Sequence, residues 1–142
     1  MIPKFRAYSK EENEMYYPHN DKNVDWTIDD ETGFIAPLVN LGGGMWGMID
    51  KYELMQSTGL IDRNGVEIFD GDVVQAEQYL TTTIPVRING IVKYSNRYTM
   101  FYLDNGSERH DLYMQSLGGS IYNFEIIGNI YENPELSGDE QR

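Results

Sequence analysis

The sequence predicts a mainly β protein. A small SH3-like β-barrel core is expected over residues 51–133, preceded by an N-terminal strand-and-loop extension over 1–50. Three observations carry this. Eleven Tyr, five Phe and two Trp give an aromatic share suited to pleated, half-buried surfaces. Short apolar segments are separated by Gly, Asn and Asp turn signals. Helical periodicity is sparse, and no internal repeat of fixed period is present.

Taken in order, Phe5 and Ala7 alternate with Lys4 and Arg6, a polar stretch 9–14 follows, and Met15-Tyr16-Tyr17 resumes a β-prone pattern. A hairpin fits, although Ser9 with Glu12 also matches a helical capping box. Residues 18–31 are polar, and only Val24, Trp26 and Ile28 alternate, as in one edge strand or a mobile loop. The run Phe34 to Val39 is apolar but contains Pro37, which predicts an interrupted or edge strand, since proline has no amide to donate. Gly42-Gly43-Gly44 is followed by Met45-Trp46-Gly47-Met48. A phosphate cradle is tempting there, but the Lys-Ser/Thr of a P-loop and the spacing of a dinucleotide site are both missing. The segment is expected to be a flexible loop with an apolar tip.

The stretch 52–74 organises the chain. Its first strand is expected to end at Gly59-Leu60, Asp62-Arg63-Asn64-Gly65 to turn, and Asp70-Gly71-Asp72 to turn again before Val73-Val74. Gly59, Asn64, Gly65, Gly71 and Asp72 are thus structural turn residues. Residues 76–85 fit a loop or an edge insertion. Asn89-Gly90 predicts a further hairpin or a bulge, 98–103 a strand, and 104–107 another Asn-Gly turn. Residues 109–117 are ambiguous and fit a helical turn. A last strand covers 123–132, with Gly128 at a bulge or a close backbone approach. From 132 onward the acidic end is expected to fray, with 137–142 a flexible tail.

Net charge is −12, from 23 acidic and 11 basic residues. That field opposes phosphate backbones and anionic membranes. There is no cysteine, which excludes disulfides, thiolate nucleophiles and zinc-ribbon ligand sets. No apolar run reaches the ~20 residues of a membrane helix, and the N-terminus lacks the apolar core of a signal peptide. A cytoplasmic protein is expected.

Three segments carry a resemblance: Lys4 to Tyr8, the central MQSTGLIDRNGVEIFDGDVV of 55–74, and FEIIGNIYENPEL of 124–136. Together they resemble the YopX family of phage- and prophage-encoded proteins from end to end. The resemblance implies a single domain over 1–136, an intracellular setting and self-association. It implies no activity and no catalytic residues. Residues 21–46 and 76–87 fall outside the shared pattern.

Candidate chemistry is thin. His19 and His110, with Asp21 and Asp111 nearby, would have to meet across a long segment to hold a metal. Asp62, Asp70 and Asp72 could pair for acid–base work, yet aspartates at turns are better explained by bonds to local backbone amides. Ser57 and Thr58 have no histidine at motif spacing. Lys93, Tyr94, Arg97 and Tyr98 form the one basic-aromatic run, and such a run could stack nucleobases. The expected function is that of a non-enzymatic accessory protein with no cofactor or metal, acting through a protein partner or as a homo-oligomer. The alternatives are nucleic-acid binding through residues 93–102, or acidic mimicry of DNA. Functional positions are expected outside 52–74.

Overall fold

A computed structural model of the chain describes residues 4–18, 22–29, 31–32, 34–49, 51–78, 86–97, 99–104, 106, 115–116 and 123–136. The fold is mainly β. Among the described residues the regular structure is twelve antiparallel strands and one 3-10 turn, with no α-helix. The chain divides into two compact units, Met1–Gln56 and Ser57–Arg142. The division falls inside one strand, Glu53–Ile61.

In the first unit, β1 (Phe5–Ser9) and β2 (Glu14–Tyr16) form the expected hairpin. The Ser9 hydroxyl accepts the Glu12 amide at 3.2 Å, so the residues of the capping pattern close a turn instead of starting a helix. On its other side β1 pairs with the opening residues of β6 (Glu53–Ile61). A separate sheet has the order β3 (Val24–Ile28), β4 (Ile35–Gly42), β5 (Met45–Met48).

Pro37 corrects the reading of this region. It lies in the central strand of that sheet, fully buried, and neither interrupts the strand nor marks an edge. Hydrogen bonds explain how. Opposite Trp26 on β3, the register puts Pro37 at a non-hydrogen-bonded pair, because Asn40 donates to Asn23 at 2.8 Å and Asp29 to Phe34 at 2.8 Å. On the β5 side its carbonyl accepts the Ile49 amide at 3.0 Å. The bond that proline cannot return would fall just past Met48, where the ladder has already ended.

In the second unit, β6 continues through Gly59, whose φ of 80° lies at a register shift between Ser57 and Ile61. The strand therefore bulges at Gly59 where it was expected to stop. It pairs there with β7 (Glu67–Phe69). The remaining strands form a curled half-barrel sheet in the order β11 (Gln115–Ser116), β10 (Met100–Asp104), β9 (Val86–Ser95), β8 (Asp72–Gln78), β12 (Asn123–Asn129). Its core is Ile68, Val74, Ala76, Val92, Leu103 and Phe124, flanked by Leu60, Ile88, Phe101 and Ile126. Each fully buried aliphatic or aromatic side chain is worth about 1.5–3 kcal/mol of transfer free energy.

Asn89-Gly90 is neither a hairpin turn nor a bulge, but lies inside an unbroken β9. Glycine is there for packing: a Cβ at position 90 would sit 2.6 Å from Leu103 Cγ and 2.8 Å from the Asp104 carbonyl oxygen. Gln115–Ser116 pair with β10 as a short strand where a helical turn was expected. At the end of the chain, residues 132–136 are held in place. Asn129 Oδ1 accepts the Tyr131 and Glu132 amides at 3.0 and 2.8 Å, and a 3-10 turn, Pro134–Leu136, follows. A Cβ at Gly128 would meet Asn133 Oδ1 at 2.6 Å and Leu136 Cδ1 at 2.7 Å, and the register shift lies beside it between Ile126 and Gly128. Residues 79–85 and 137–142 are outside the described residues.

Candidate interaction surface

The β4–β5 hairpin is built by its glycines. Gly43 and Gly44, with φ of 61° and 79°, form a two-residue connection whose positive angles suit the right-handed twist of the flanking strands. Gly42 (φ 91°) sits at a register shift after Asn40, and Asn40 Oδ1 accepts its amide at 2.8 Å. The triple glycine is thus a tight hairpin turn instead of a loose loop. The residue pattern held the signal: Gly-Gly between two β-prone runs is a hairpin signature.

The apolar tip is present. Leu41 is 64% exposed, Met45 66%, Trp46 44% and Met48 50%. Pairing of Asn40 with Trp46 and of Leu38 with Met48 sets Trp46 and Met48 on one face of the hairpin. Met45 lies on the opposite face, and Leu41 packs there over Gly47, where a Cβ would meet its Cδ1 at 3.0 Å. Both faces are therefore apolar and open to solvent. Isolated exposed apolar residues are ordinary, whereas several on one small element mark a contact surface.

The same unit contains a cleft of about 570 Å³ lined by Tyr8, Lys10, Glu11, Phe34, Lys51, Tyr52 and Glu53. Its charges cancel pairwise, Lys10 with Glu53 at 3.6 Å and Lys51 with Glu11 at 3.4 Å. The Tyr52 hydroxyl donates to the Ile35 carbonyl and that of Tyr8 to Asn13 Oδ1. Burial raises the Tyr52 pKa. The cleft is thus lined by aromatic rings and paired charges.

Of the basic-aromatic residues, Lys93 and Tyr94 are not brought together. On β9 the pleat sends Lys93 and Tyr94 to opposite faces. Lys93 Nζ is paired with Asp104 Oδ2 at 2.7 Å, and Tyr94 packs edge-on against Phe101 with ring centroids 5.1 Å apart. Arg97 is exposed beyond the strand end. Tyr98, His19 and His110 lie outside the described residues. Among those residues no group of three or more His, Cys, Asp or Glu stands close enough to hold a metal.

Two aspartates of the central stretch, Asp62 and Asp72, are held by backbone amides. Asp62, 5% exposed, accepts the amides of Asn64 and Val66 through Oδ1, both at 2.9 Å, and of Ile126 through Oδ2 at 3.1 Å. Burial alone would raise its pKa. The three amide bonds and neighbouring Arg63 outweigh that and hold it below the usual carboxylate range. Asp72, 1% exposed, accepts the Phe69 amide at 2.8 Å. Between them, Gly65 and Gly71 carry φ of 81° and 88°. Gly71 donates to Val92 and accepts from Ile130. Ser57 Oγ donates to Glu67 and accepts the Gly59 amide.

These features define a mainly β protein of two small units whose most conspicuous surface is an uncharged apolar hairpin. The chain belongs to the YopX family: residues 4–137 match the family described as YopX protein. It is also similar to the crystal structure of protein EF1440 from Enterococcus faecalis, at 31% identity and a TM-score of 0.54, over 96% of this chain and 98% of that one. No curated protein matches the chain. Among the described residues no helix is long and apolar enough to cross a membrane.

Proposed function

We propose that this YopX protein is a non-enzymatic accessory protein of phage or prophage origin, working in the cytoplasm through contact with protein. The contact surface is the β4–β5 hairpin. The observation that carries this reading is the exposure of Leu41, Met45, Trp46 and Met48 on both faces of one short hairpin. Apolar anchors of this kind, Trp and Met above all, are enriched where interfaces are buried. Asp62 and Asp72, two of the carboxylates considered for acid–base work, are engaged in turns, which favours a scaffold over an enzyme. Base stacking by Lys93, Tyr94, Arg97 and Tyr98 gains no support, since the first two point apart.

The test is a photo-reactive residue placed at Met45 in cells that produce the chain. A discrete, saturable cross-linked product is expected, reduced by Trp46→Ala. Absence of any product from position 45, with efficient cross-linking from a position on the second unit, overturns the assignment.

A further inference from the structure

Residues 32–49 form a run of eighteen without a single Asp, Glu, Lys or Arg, in a chain whose net charge is −12. The run includes all of β4 and β5. β5 is also the end of its sheet: in the order β3-β4-β5, no described strand lies on its far side. Natural edge strands are commonly blunted by charge, proline or a bulge. Met45-Trp46-Gly47-Met48 contains no charge and no proline, and the bulge lies on β4 instead.

Resting on the hairpin reading above, we infer that β5 is a pairing edge whose occupant is β5 of a second copy of this chain. Two arguments select a second copy. The first is electrostatic. Like-charge juxtaposition disfavours most contacts between two molecules that each carry −12, and the uncharged run is where they can meet without it.

The second argument is register. The Ile49 amide donates to the Pro37 carbonyl, and Val39 pairs with Gly47, so residues 47 and 49 direct their amide and carbonyl toward β4. By alternation, Trp46 and Met48 direct theirs to the open edge. Two antiparallel copies that set Trp46 opposite Met48 of the other form four N–H···O bonds around a two-fold axis. The axis passes between the two Gly47 residues. These form a non-hydrogen-bonded pair, where Cα atoms approach to about 4.5 Å, and glycine adds no side chain there. Trp46 of each copy then lies beside Met48 of the other on one face, a favourable sulfur–aromatic pairing. The contact is self-complementary and closed, as a two-fold dimer requires.

The test is sedimentation of the full chain over a concentration series up to about 1 mM, a range spanning weak and tight dimers. The expected result is a monomer–dimer equilibrium. Met48→Pro removes the outward amide, a position at which an edge strand accepts proline. Two bonds are lost per dimer, so dissociation should strengthen roughly tenfold or more with the far-UV circular dichroism unchanged. Trp46→Lys, an edge-protecting substitution, should do the same and serves if the proline variant misfolds. A parent chain that stays monomeric, or a dimer indifferent to both substitutions, overturns the inference. A monomeric chain that still cross-links saturably to a different protein from position 45 removes the second copy as occupant and leaves the hairpin as the contact surface. Failure of both measurements removes both.

Discussion

Asp62 offers the sharpest quantitative test of how the second unit is held. Replacing it by Asn keeps a carbonyl oxygen for the Asn64 and Val66 amides, 2.9 Å away. It also turns an NH2 group toward the Ile126 amide, which now reaches the carboxylate at 3.1 Å. One charge-assisted bond is lost, the other two become neutral, and two donors face each other on β12. A hydrogen bond to a charged group contributes about 1.5–3 kcal/mol. Asp62→Asn should therefore cost about 2 kcal/mol, and Asp62→Ala, which abandons all three amides, about 3–4 kcal/mol. The assay is guanidinium unfolding at pH 7 followed by circular dichroism, repeated toward acid. Because the folded-state pKa is depressed, the stabilisation is fully present above the unfolded value of about 3.9 and is lost as pH falls through the folded value. The gap between parent and Asp62→Asn should be constant from pH 7 to about 5, then close as Asp62 protonates. A gap under about 0.5 kcal/mol at pH 7, or one that persists unchanged in acid, refutes the assignment of Asp62 as an ionised amide acceptor.

Three further outcomes are expected. Gly90→Ala should destabilise by about 1–3 kcal/mol, since the added methyl meets buried Leu103 and a backbone carbonyl that cannot yield; a thermal scan checks this, and an unchanged midpoint contradicts the close approach. Gly44→Ala has open space around it yet forces alanine to a φ of 79°, so it should cost about 1–2 kcal/mol, whereas Gly44→Asn should cost less. Trp26 Nε1 is buried without an acceptor while its ring packs edge-on against Phe5, centroids 6.2 Å apart. Trp26→Phe should then lie within about 1 kcal/mol of the parent, well short of the ~3–5 kcal/mol typical of truncating a buried aromatic to alanine, as denaturant midpoints would show.

Much of the architecture is decided by residues that act locally. Asn64-Gly65 and Asp70-Gly71-Asp72 turn where they stand because glycine supplies the positive φ and aspartate accepts the amides of its own turn. Alternation of Val24, Trp26 and Ile28 suffices for an edge strand, and the closing segment suffices to announce both a strand and a tight approach at Gly128. Family membership is equally legible, since its segments span the chain.

Other features depend on partners far away in sequence. Gly90 reads as a turn until Leu103 and Asp104 are placed against it, thirteen and fourteen residues on. Pro37 reads as a strand breaker until the ladder of β5 is seen to end one residue before its missing amide matters. Lys93 and Tyr94 read as one patch until the pleat of β9 separates them. The hairpin shows the division most clearly. Composition alone marks 41–48 as glycine-rich and apolar, because those are properties of single residues. That the apolar side chains occupy both faces of an open sheet edge is a matter of register, and only the paired strands fix it.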